Sequence, residues 1–556
     1  MIREIENHGV RLVIDAAPQV LRLECPEDVA WHEDEQVLSA SISARRFRGF
    51  VSASVLAAKA KAFDDGLIAA VELAAQAGAG TFAGKRVLLG QMAARLEPGV
   101  SADIVSAARR LGSGSGVLGW AGKLADYFLG DETKSKPLGV YTWSRDLENV
   151  FRQDRMLQSE LPDAEAIGSV SRALSGDPAL RSGYLAWMSL AERLTNPFAR
   201  HDLRPALSDL DRGAVPSFVE GTAISPPSES LEGALGKRLY GDTPIPEGFS
   251  LADCLIAAIR KRAGELDPQS NSGWYDRIAW SIETLVAPDR GAEAAKLQLG
   301  ARYRKTLEGL FKGILALARE SHVKQLEIPD CGAAGGPDLP PLIVSPTLTV
   351  EPLPTHYLRR GLGYRFVREV LESTFGEAAL SDLRRLTATG PVDIPLGDEI
   401  AAMESLFLGA HAVSCNEIGL DADTQATSGT ATSFASWGAD LVADSDLAAD
   451  NRMMVPVFYD LMRKKVKVWA LLGWTSRPLE VSFVTRPRVE VIRHETKAGW
   501  IGARKDDRPL EFLRDWYNLA YPVTAEIYVT RLLDRKEFRS HCNRYRTETQ
   551  ILANLT

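Results

Sequence analysis

The chain has 556 residues, of which 45% are hydrophobic and 25% charged, and its formal net charge is -8. This length predicts two or three structural units, and the composition excludes a chain that is largely disordered. The acidic balance argues against nucleic acid as a partner. The sequence has neither a secretory signal nor 18 consecutive apolar residues, which predicts a soluble, cytoplasmic protein with no membrane anchor. A reducing compartment also fits its scattered cysteines, Cys25, Cys254, Cys331, Cys415 and Cys542.

The first fifty residues predict a small β-rich element. Short β-branched or alternating runs there are separated by Pro, Glu and Asp, at Val10–Ala16, Val20–Leu23 and Val37–Ala44. From about Ser52 the apolar residues are three and four apart, which predicts helices as far as about residue 320. After the Ala-rich stretch 52–77, the predicted helices are Ala102–Leu111, Ser144–Ser159, Asp163–Leu174, Ser182–Leu194, Leu251–Glu265, Trp274–Leu285 and Ala292–Ala318. A loop at 213–248, rich in Pro, Gly and Ser, is predicted to be a surface excursion or an interdomain link.

A second break at Asp330–Pro341 predicts a domain boundary. A short strand at Leu342–Val350 follows, and then helices at His356–Thr374, Gly397–His411, Ser428–Ala443 and Ala449–Lys464. Antiparallel strands are expected at Val466–Leu472 and Leu479–Val491, and helices again at Glu511–Tyr517 and Lys536–Leu555. The predicted fold class is mainly α: a multi-helix globular protein with a small N-terminal β element and a small antiparallel sheet near the C-terminus. The predicted units are 1–50, 51–330 and 331–556, with the sheet at 466–494.

Common catalytic motifs are absent or lie in the wrong context. Gly114–Gly119 spells the dinucleotide fingerprint, but a helical pattern precedes it where a strand is needed, which favours a turn between helices. Ser321 and Lys324 have the Ser-x-x-Lys spacing without a later Lys-Thr-Gly, which favours chance. There is no Gly-x-Ser-x-Gly elbow and no His-Glu-x-x-His helix. The sequence therefore names no reaction and no cofactor.

A metal hypothesis rests on His411, Cys415 and Glu417. His and Cys four residues apart share one helix face, and the carboxylate would add to a partial ligand set. The alternative is a buried histidine and a buried free cysteine, both common in protein cores. Acidic residues also gather at Asp440, Asp444, Asp446 and Asp450, where helix caps are the alternative to a bound cation.

A ligand-binding hypothesis rests on a cluster of aromatic and arginine side chains. They lie in one turn and the helix that follows, and such residues stack on and clamp anionic groups: Tyr141, Trp143, Arg145, Arg152 and Arg155. In the alternative, Leu147, Phe151 and Leu157 form a core stripe and the arginines point to water.

The stretch Lys136–Gln158 resembles a segment of a bacterial domain-of-unknown-function family, number three-one-six-zero. Its Pro-x-Gly-His-Tyr-Thr-x-Ser turn opens a helix, and the residues that match are Tyr141, Thr142, Ser144, Leu147 and Phe151. Val140 stands where that family has histidine. The segments Val350–Leu358 and Phe434–Leu441 are similar to two further motifs of the family, in reversed order. The resemblance covers about a tenth of the chain, implies a mainly helical architecture and brings no activity.

Two functions remain open at this level. In the first, a cleft between helical units binds or modifies a small molecule or peptide through the Tyr141–Arg155 region, with His411 and Cys415 contributing. In the second, the chain is a non-catalytic helical interaction or scaffold protein that recruits another protein. Titratable groups that converge on a cavity would favour the first, and an exposed apolar patch would favour the second.

Overall fold

The computed structural model describes residues 3–7, 10–15, 38, 40, 50–114, 116, 118–233, 235, 248–261, 266–324, 348–460, 463–479, 481–483, 488–493, 504–505, 518–545 and 547–555. The mainly α class is confirmed. The α-helices are α1 (Ala53–Ala77), α2 (Lys85–Ala93), α3 (Val100–Ser113), α4 (Gly119–Gly130), α5 (Glu132–Ser135), α6 (Arg145–Leu157), α7 (Ala164–Ser175), α8 (Pro178–Leu194), α9 (Arg204–Asp211), α10 (Leu251–Arg260), α11 (Trp274–Val286), α12 (Ala301–Ser321), α13 (Pro354–Phe375), α14 (Glu377–Asp382), α15 (Leu396–Ile418), α16 (Ser428–Asp440), α17 (Arg535–Arg544) and α18 (Glu548–Ala553). None of these helices is long and apolar enough to cross a membrane.

The strands pair in antiparallel fashion in small sheets. They are β1 (Arg3–Asn7), β2 (Val10–Asp15), β3 (Leu297–Leu299), β4 (Arg384–Thr387), β5 (Gly390–Pro395), β6 (Met453–Asp460), β7 (Lys465–Pro478), β8 (Val481–Phe483), β9 (Arg488–Arg493), β10 (Arg504–Lys505) and β11 (Asn518–Val529). One sheet has the order β11-β7-β6 and contains the first strand predicted near the C-terminus, Val466–Leu472. The second predicted stretch, Leu479–Val491, does not join this sheet: it contains β8, which pairs with β3, and the start of β9. Another has the order β1-β2-β9-β10, so the N-terminal β element pairs with a strand from the far end of the chain.

Helix α1 lies in the middle of the hydrophobic core. Its alanines make it narrow, and apolar residues surround it on nearly every side, as expected for a buried helix. Ser52 caps it by accepting a hydrogen bond from the amide of Val55 at 3.3 Å. Gly66 permits close contact with β4, because a Cβ there would lie 2.2 Å from the carbonyl oxygen of Leu386. The small residues of α1 therefore let other elements approach it closely.

Helix α12 packs against the three-stranded sheet through two glycines. A Cβ on Gly309 would lie 2.3 Å from the ring of Tyr521, and a Cβ on Gly313 would lie 2.6 Å from Pro522. Both positions face β11, and the spacing of four residues places them on one side of the helix. This contact holds the middle of α12 against the sheet, and buried polar residues follow at the C-terminal end of the helix.

Two sequence predictions about secondary structure are wrong. The stretch predicted as a helix at Ala449–Lys464 contains β6, in which Pro456 and its valine neighbours favour a strand over a helix interior. The helix predicted at Ala292–Ala318 begins only at Ala301, because β3 interrupts it. Both strands are short apolar runs next to predicted helices, and hydrophobic periodicity alone does not distinguish a short buried strand from a helix segment.

The described part of the loop at 213–248 is exposed at its start and buried farther on. Residues 213–215, 217, 218 and 220 are exposed, as predicted for a surface excursion. Residues 222–225 are buried, as are Ser228, Ser230 and Glu232. The serine and threonine side chains satisfy polar groups inside the protein, as when the hydroxyl groups of Thr195 and Ser228 bond at 2.5 Å. From residue 222 onward, Pro and Ser therefore mark irregular backbone that is buried.

One hydrophobic core includes residues from both sides of position 330. Helices α11 and α13 pack together across it, as do α1 and α15. Several other predictions fall wholly or mostly outside the described residues, namely the runs Val20–Leu23, Val37–Ala44 and Leu342–Val350, the break Asp330–Pro341 and the helix Glu511–Tyr517. The three-unit division stays a prediction.

Candidate functional site

Helix α1 carries a line of polar side chains inside the core. Lys61, Asp65, Glu72 and Gln76 are separated by four, seven and four residues, so they share one face of the helix. Lys61, Asp65 and Gln76 are at most 3% exposed. Ionised groups are rarely buried unless they are paired, so this face requires partners of opposite charge on the neighbouring helices.

Four of the buried charges form a closed ring of ion pairs, which we call the charged square: Glu72, Lys85, Asp154 and Lys324. The ammonium nitrogens of Lys85 and Lys324 each lie 2.5 Å from Oδ2 of Asp154. Lys85 is also 3.2 Å from Oε2 of Glu72, and Lys324 contacts Oε1 of the same carboxylate. Each lysine bridges both acids, so the square is neutral overall.

The square keeps its members ionised although they are buried. Burial alone would raise the pKa of Asp154, but the ammonium groups of Lys324 and Lys85 outweigh it and lower that pKa to about 2. The same two lysines hold the pKa of Glu72 below its usual range against burial. Burial alone would lower the pKa of Lys85, but the carboxylates of Asp154 and Glu72 outweigh burial, so this pKa lies above its usual value.

A cavity of about 40 Å³, which we call the first cavity, adjoins the charged square. This is room for about three water molecules or for a ligand of a few non-hydrogen atoms. All four members of the square line it together with Tyr141, whose hydroxyl donates to Oε1 of Glu72 at 3.1 Å. Much of the remaining lining is apolar, with the larger side chains from Ile68, Val71, Trp187, Leu190 and Leu194.

His322 also lines the first cavity, next to the C-terminal end of α12. Burial lowers the pKa of its imidazole to about 3, helped by Lys61 and Arg360, so the ring is neutral. Its ring packs edge-on against Trp274 and Tyr275, with centroids 5.4 and 5.7 Å away. Its Nε2 atom is buried and has no hydrogen-bond partner among the described residues. This atom can therefore exchange a hydrogen bond with a ligand.

A second cluster surrounds Arg360 on α13. Its Nη2 donates to Oδ2 of Asp64 and to the hydroxyl of Tyr364 at 3.0 Å, and that hydroxyl donates to Oδ1 of Asp64 at 2.8 Å. A cavity of about 20 Å³, the second cavity, lies beside Arg360 and Asp64. Burial raises the pKa of Asp64, which outweighs the opposite effects of Arg360 and Tyr364. The two cavities thus contain carboxylates whose pKa values shift in opposite directions.

Ser321 lines both cavities. Its Oγ donates to Oδ1 of Asp65 at 2.9 Å and accepts from Nζ of Lys61 at 3.0 Å. Lys61 also lies 2.6 Å from Glu320, so two carboxylates hold its ammonium group and it has no lone pair with which to act as a base. Lys324 of the Ser-x-x-Lys pattern contacts Glu72 and Asp154 instead. The pattern has no nucleophilic role in this geometry.

Sequence reasoning missed the charged square and the Arg360 cluster. The signal was present, because Lys61, Asp65 and Glu72 recur on one face of a helix whose other residues are mostly apolar. Charges at that spacing on a buried helix predict paired charges on its neighbours. The identity of those neighbours, at Lys85, Asp154 and Lys324, depends on the tertiary fold.

The structure separates the five residues of the ligand-binding hypothesis. Tyr141 lines the first cavity, whereas Arg145 is exposed and Trp143 is half-buried. Arg152 pairs with Glu148 at 3.1 Å one turn away, and Arg155 donates to the side chain of Gln158 at 2.6 Å. Residues of the alternative core stripe are buried: Leu147, Phe151 and Leu157. Tyr141 is the member of the set that reaches a cavity.

His411, Cys415 and Glu417 do not combine into a set of metal ligands. Nδ1 of His411 donates to the carbonyl of Pro354 at 2.9 Å, and Nε2 accepts from the amide of Asp423 at 2.9 Å. Burial raises the pKa of the Cys415 thiol to about 12, so it stays protonated. Glu417 accepts from the amide of Thr349 at 2.9 Å. Throughout the described chain, no group of three or more His, Cys, Asp and Glu side chains is arranged to hold a metal ion.

The carboxylates of the acidic cluster after α16 form ion pairs with basic side chains of the same chain. Lys59 lies 2.9 Å from Asp444 and 2.8 Å from Asp446, and Arg385 also pairs with Asp446. Arg452 pairs with Asp450 at 2.6 Å. Asp444 also accepts from the amide of Asp446 and so caps the short turn there. Ion pairs and capping account for these carboxylates.

Comparison with known proteins adds no relative. No protein-family model, curated protein or solved structure matches this chain significantly. The resemblance to the bacterial family therefore stays a prediction, and the function must be argued from the site.

Proposed function

We propose that this protein binds a small organic molecule without net charge in the first cavity. The observation that carries the proposal is the convergence of four ionised side chains, Tyr141 and the unpartnered Nε2 of His322 on one cavity. Burying four charges costs several kcal/mol per ion before pairing, so a purely structural core would be built more cheaply from apolar residues. Convergent titratable groups around a cavity are typical of binding and active sites.

The charge of the site selects the ligand class. The charged square contributes two cations and two anions, and His322 is neutral, so an ion in this cavity would add an uncompensated charge. A neutral amide or a zwitterion adds none, and its donors and acceptors match the imidazole and the phenol. The cavity volume limits the bound part of the ligand to a few non-hydrogen atoms, with its apolar side toward Trp187 and Leu190.

Saturation-transfer NMR on the full chain tests the proposal with acetamide and glycine as probes. Ala75 lines the first cavity, and Ala75→Leu fills it without touching a charge. Ala70→Leu is the matched control, because Ala70 is equally buried on the same helix and lines neither cavity. We expect signals in the wild type and in Ala70→Leu, and their loss in Ala75→Leu. Signals that persist in Ala75→Leu, or none in the wild type, would refute the site.

A second candidate, a non-catalytic interaction protein, is supported by an exposed apolar face at α4. Leu118, Trp120 and Tyr127 are 95%, 73% and 79% exposed. Exposed aromatic residues that lie together commonly mark interaction surfaces. Sedimentation velocity of the full chain and of Trp120→Ser tests the simplest form, self-association, which the variant should weaken.

A further inference from the structure

The second cavity is lined by a buried hydrogen-bond donor that no described residue uses. Arg360 is 6% exposed, and its Nη1 atom is buried without a partner among the described residues. Its Nη2 atom donates to Asp64 and to the hydroxyl of Tyr364. An ionised guanidinium group has five N–H donors and no acceptor, and a buried donor without a partner costs free energy. A ligand of this cavity must therefore accept a hydrogen bond from Nη1.

An acceptor lies one helical turn away on α13. His356 precedes Arg360 by four residues on the same helix face, and both line the second cavity. Its Nδ1 lies 2.8 Å from the carbonyl oxygen of Ser281, so Nδ1 carries the proton and donates. Burial lowers the pKa of this imidazole to about 4, so the ring is neutral at neutral pH and its Nε2 is an acceptor. A ligand between the two side chains can donate to this nitrogen.

The charges around the second cavity balance, which favours a ligand without net charge. Arg360 pairs with Asp64. The other charged groups form a set of two cations and two anions: Lys61 and Arg535 with Asp65 and Glu320. An ion that entered would add a buried charge without a partner. The ligand is therefore a neutral molecule that both accepts and donates hydrogen bonds.

The size of the second cavity limits this molecule to water. A buried water molecule needs roughly 10–15 Å³ of such space and two to four polar partners. The second cavity has a volume of about 20 Å³, which is room for one or two water molecules. Ala57 and Ala60 of α1 line it, and larger side chains at these positions would take up this volume.

We propose that the second cavity binds an ordered water molecule that accepts from Nη1 of Arg360 and donates to Nε2 of His356. Its second O–H group has acceptors in the lining, namely the carboxylate of Asp64 and the hydroxyl oxygen of Ser321. Three hydrogen bonds are the usual number for a buried water molecule. The water would connect two side chains of α13 to α1 or α12, and it does not depend on the function proposed for the first cavity.

A crystal structure of the full chain, at a resolution that shows ordered water, tests this site. We expect a density peak at hydrogen-bond distance, roughly 2.7–3.2 Å, from both Nη1 of Arg360 and Nε2 of His356. Crystals grown with bromide in place of chloride distinguish water from a halide ion, because only bromide gives an anomalous signal. A cavity without density, a peak that contacts neither atom, or an anomalous signal at the peak would overturn the proposal.

Two matched variants test the same site in solution by oxygen-17 relaxation dispersion, which counts the long-lived water molecules of a protein. Ala57→Val adds two methyl groups to the wall of the second cavity and should lower the count by about one or two. Ala58→Val adds the same volume at a buried position that lines neither cavity, so it should leave the count unchanged. Equal counts for the wild type and Ala57→Val would overturn the assignment.

Discussion

The two cavities lie on either side of Ser321, but their charges are arranged differently. Around the first cavity, each lysine of the charged square bridges two carboxylates, and each carboxylate receives both lysines. Around the second, Arg360 uses Nη2 for Asp64 and keeps Nη1 without a partner in the described structure. Removal of any one member of the charged square leaves a buried charge unpaired. The Nη1 atom of Arg360, in contrast, can still donate to a hydrogen-bond acceptor.

Removal of one lysine from the charged square should give the largest effect on stability. Lys324→Met leaves Glu72 and Asp154 with Lys85 alone, and this buried excess of negative charge should cost about 3–5 kcal/mol. Urea unfolding at neutral pH measures the loss. The double variant Glu72→Leu/Lys324→Met restores a one-to-one pair of Lys85 and Asp154, so it should be more stable than Lys324→Met alone. Losses that simply add would show that the square is not coupled.

The carboxylates of the two cavities should respond to pH in opposite directions. The folded-state pKa of Asp154 is lowered to about 2, so its contribution to stability is present above about pH 4 and is lost as the pH falls toward 2. The folded-state pKa of Asp64 is raised above the usual value of an aspartate, so its contribution is present at lower pH and is lost as the pH rises through that raised value.

Asparagine variants of these two residues separate the two effects. Urea unfolding of wild type, Asp154→Asn and Asp64→Asn from pH 2.5 to 7 measures the difference from wild type at each pH. The deficit of Asp154→Asn should shrink as the pH falls, by roughly 2 kcal/mol over the whole window. The deficit of Asp64→Asn should shrink as the pH rises. Parallel curves for the two variants would contradict the contrast between the cavities.

The contrast between the cavities also marks the limit of sequence reasoning. Ser144 was predicted to start α6, and it does so by accepting from the amide of Leu147, because capping depends on residues close in sequence. The helix face of Lys61, Asp65 and Glu72 was equally local and could have been predicted. Lys85 and Lys324 are 239 positions apart and meet at Asp154 only after folding. His411 and Cys415 met the local rule for a metal pair, but Pro354 and Asp423 occupy both ring nitrogens of the histidine.

The hydroxyl of Tyr141 connects the predicted ligand-binding segment to the charged square. Tyr141→Phe removes the donor to Glu72 and should cost about 1.5 kcal/mol, since hydrogen bonds to charged groups are stronger than neutral ones. Tyr357→Phe is a matched control, because this equally buried hydroxyl donates to the neutral backbone carbonyl of Glu351 at 2.9 Å. We expect the control to lose about 1 kcal/mol or less in urea unfolding. A larger loss in the control would mean that the charge of Glu72 adds nothing to the bond.

The smallest effect should come from the arginines of the same segment. Arg152 forms a half-exposed ion pair with Glu148 one helical turn away, so Arg152→Ala should lower stability by about 0.3–0.5 kcal/mol. The same variant should bind acetamide and glycine as the wild type does, because Arg152 does not line the first cavity. Loss of probe binding in Arg152→Ala, with Tyr141→Phe still binding, would move the ligand from the interior to the exposed side of α6. That outcome would favour the ligand-binding hypothesis for the arginines of this segment. The charged square would then have only a structural role.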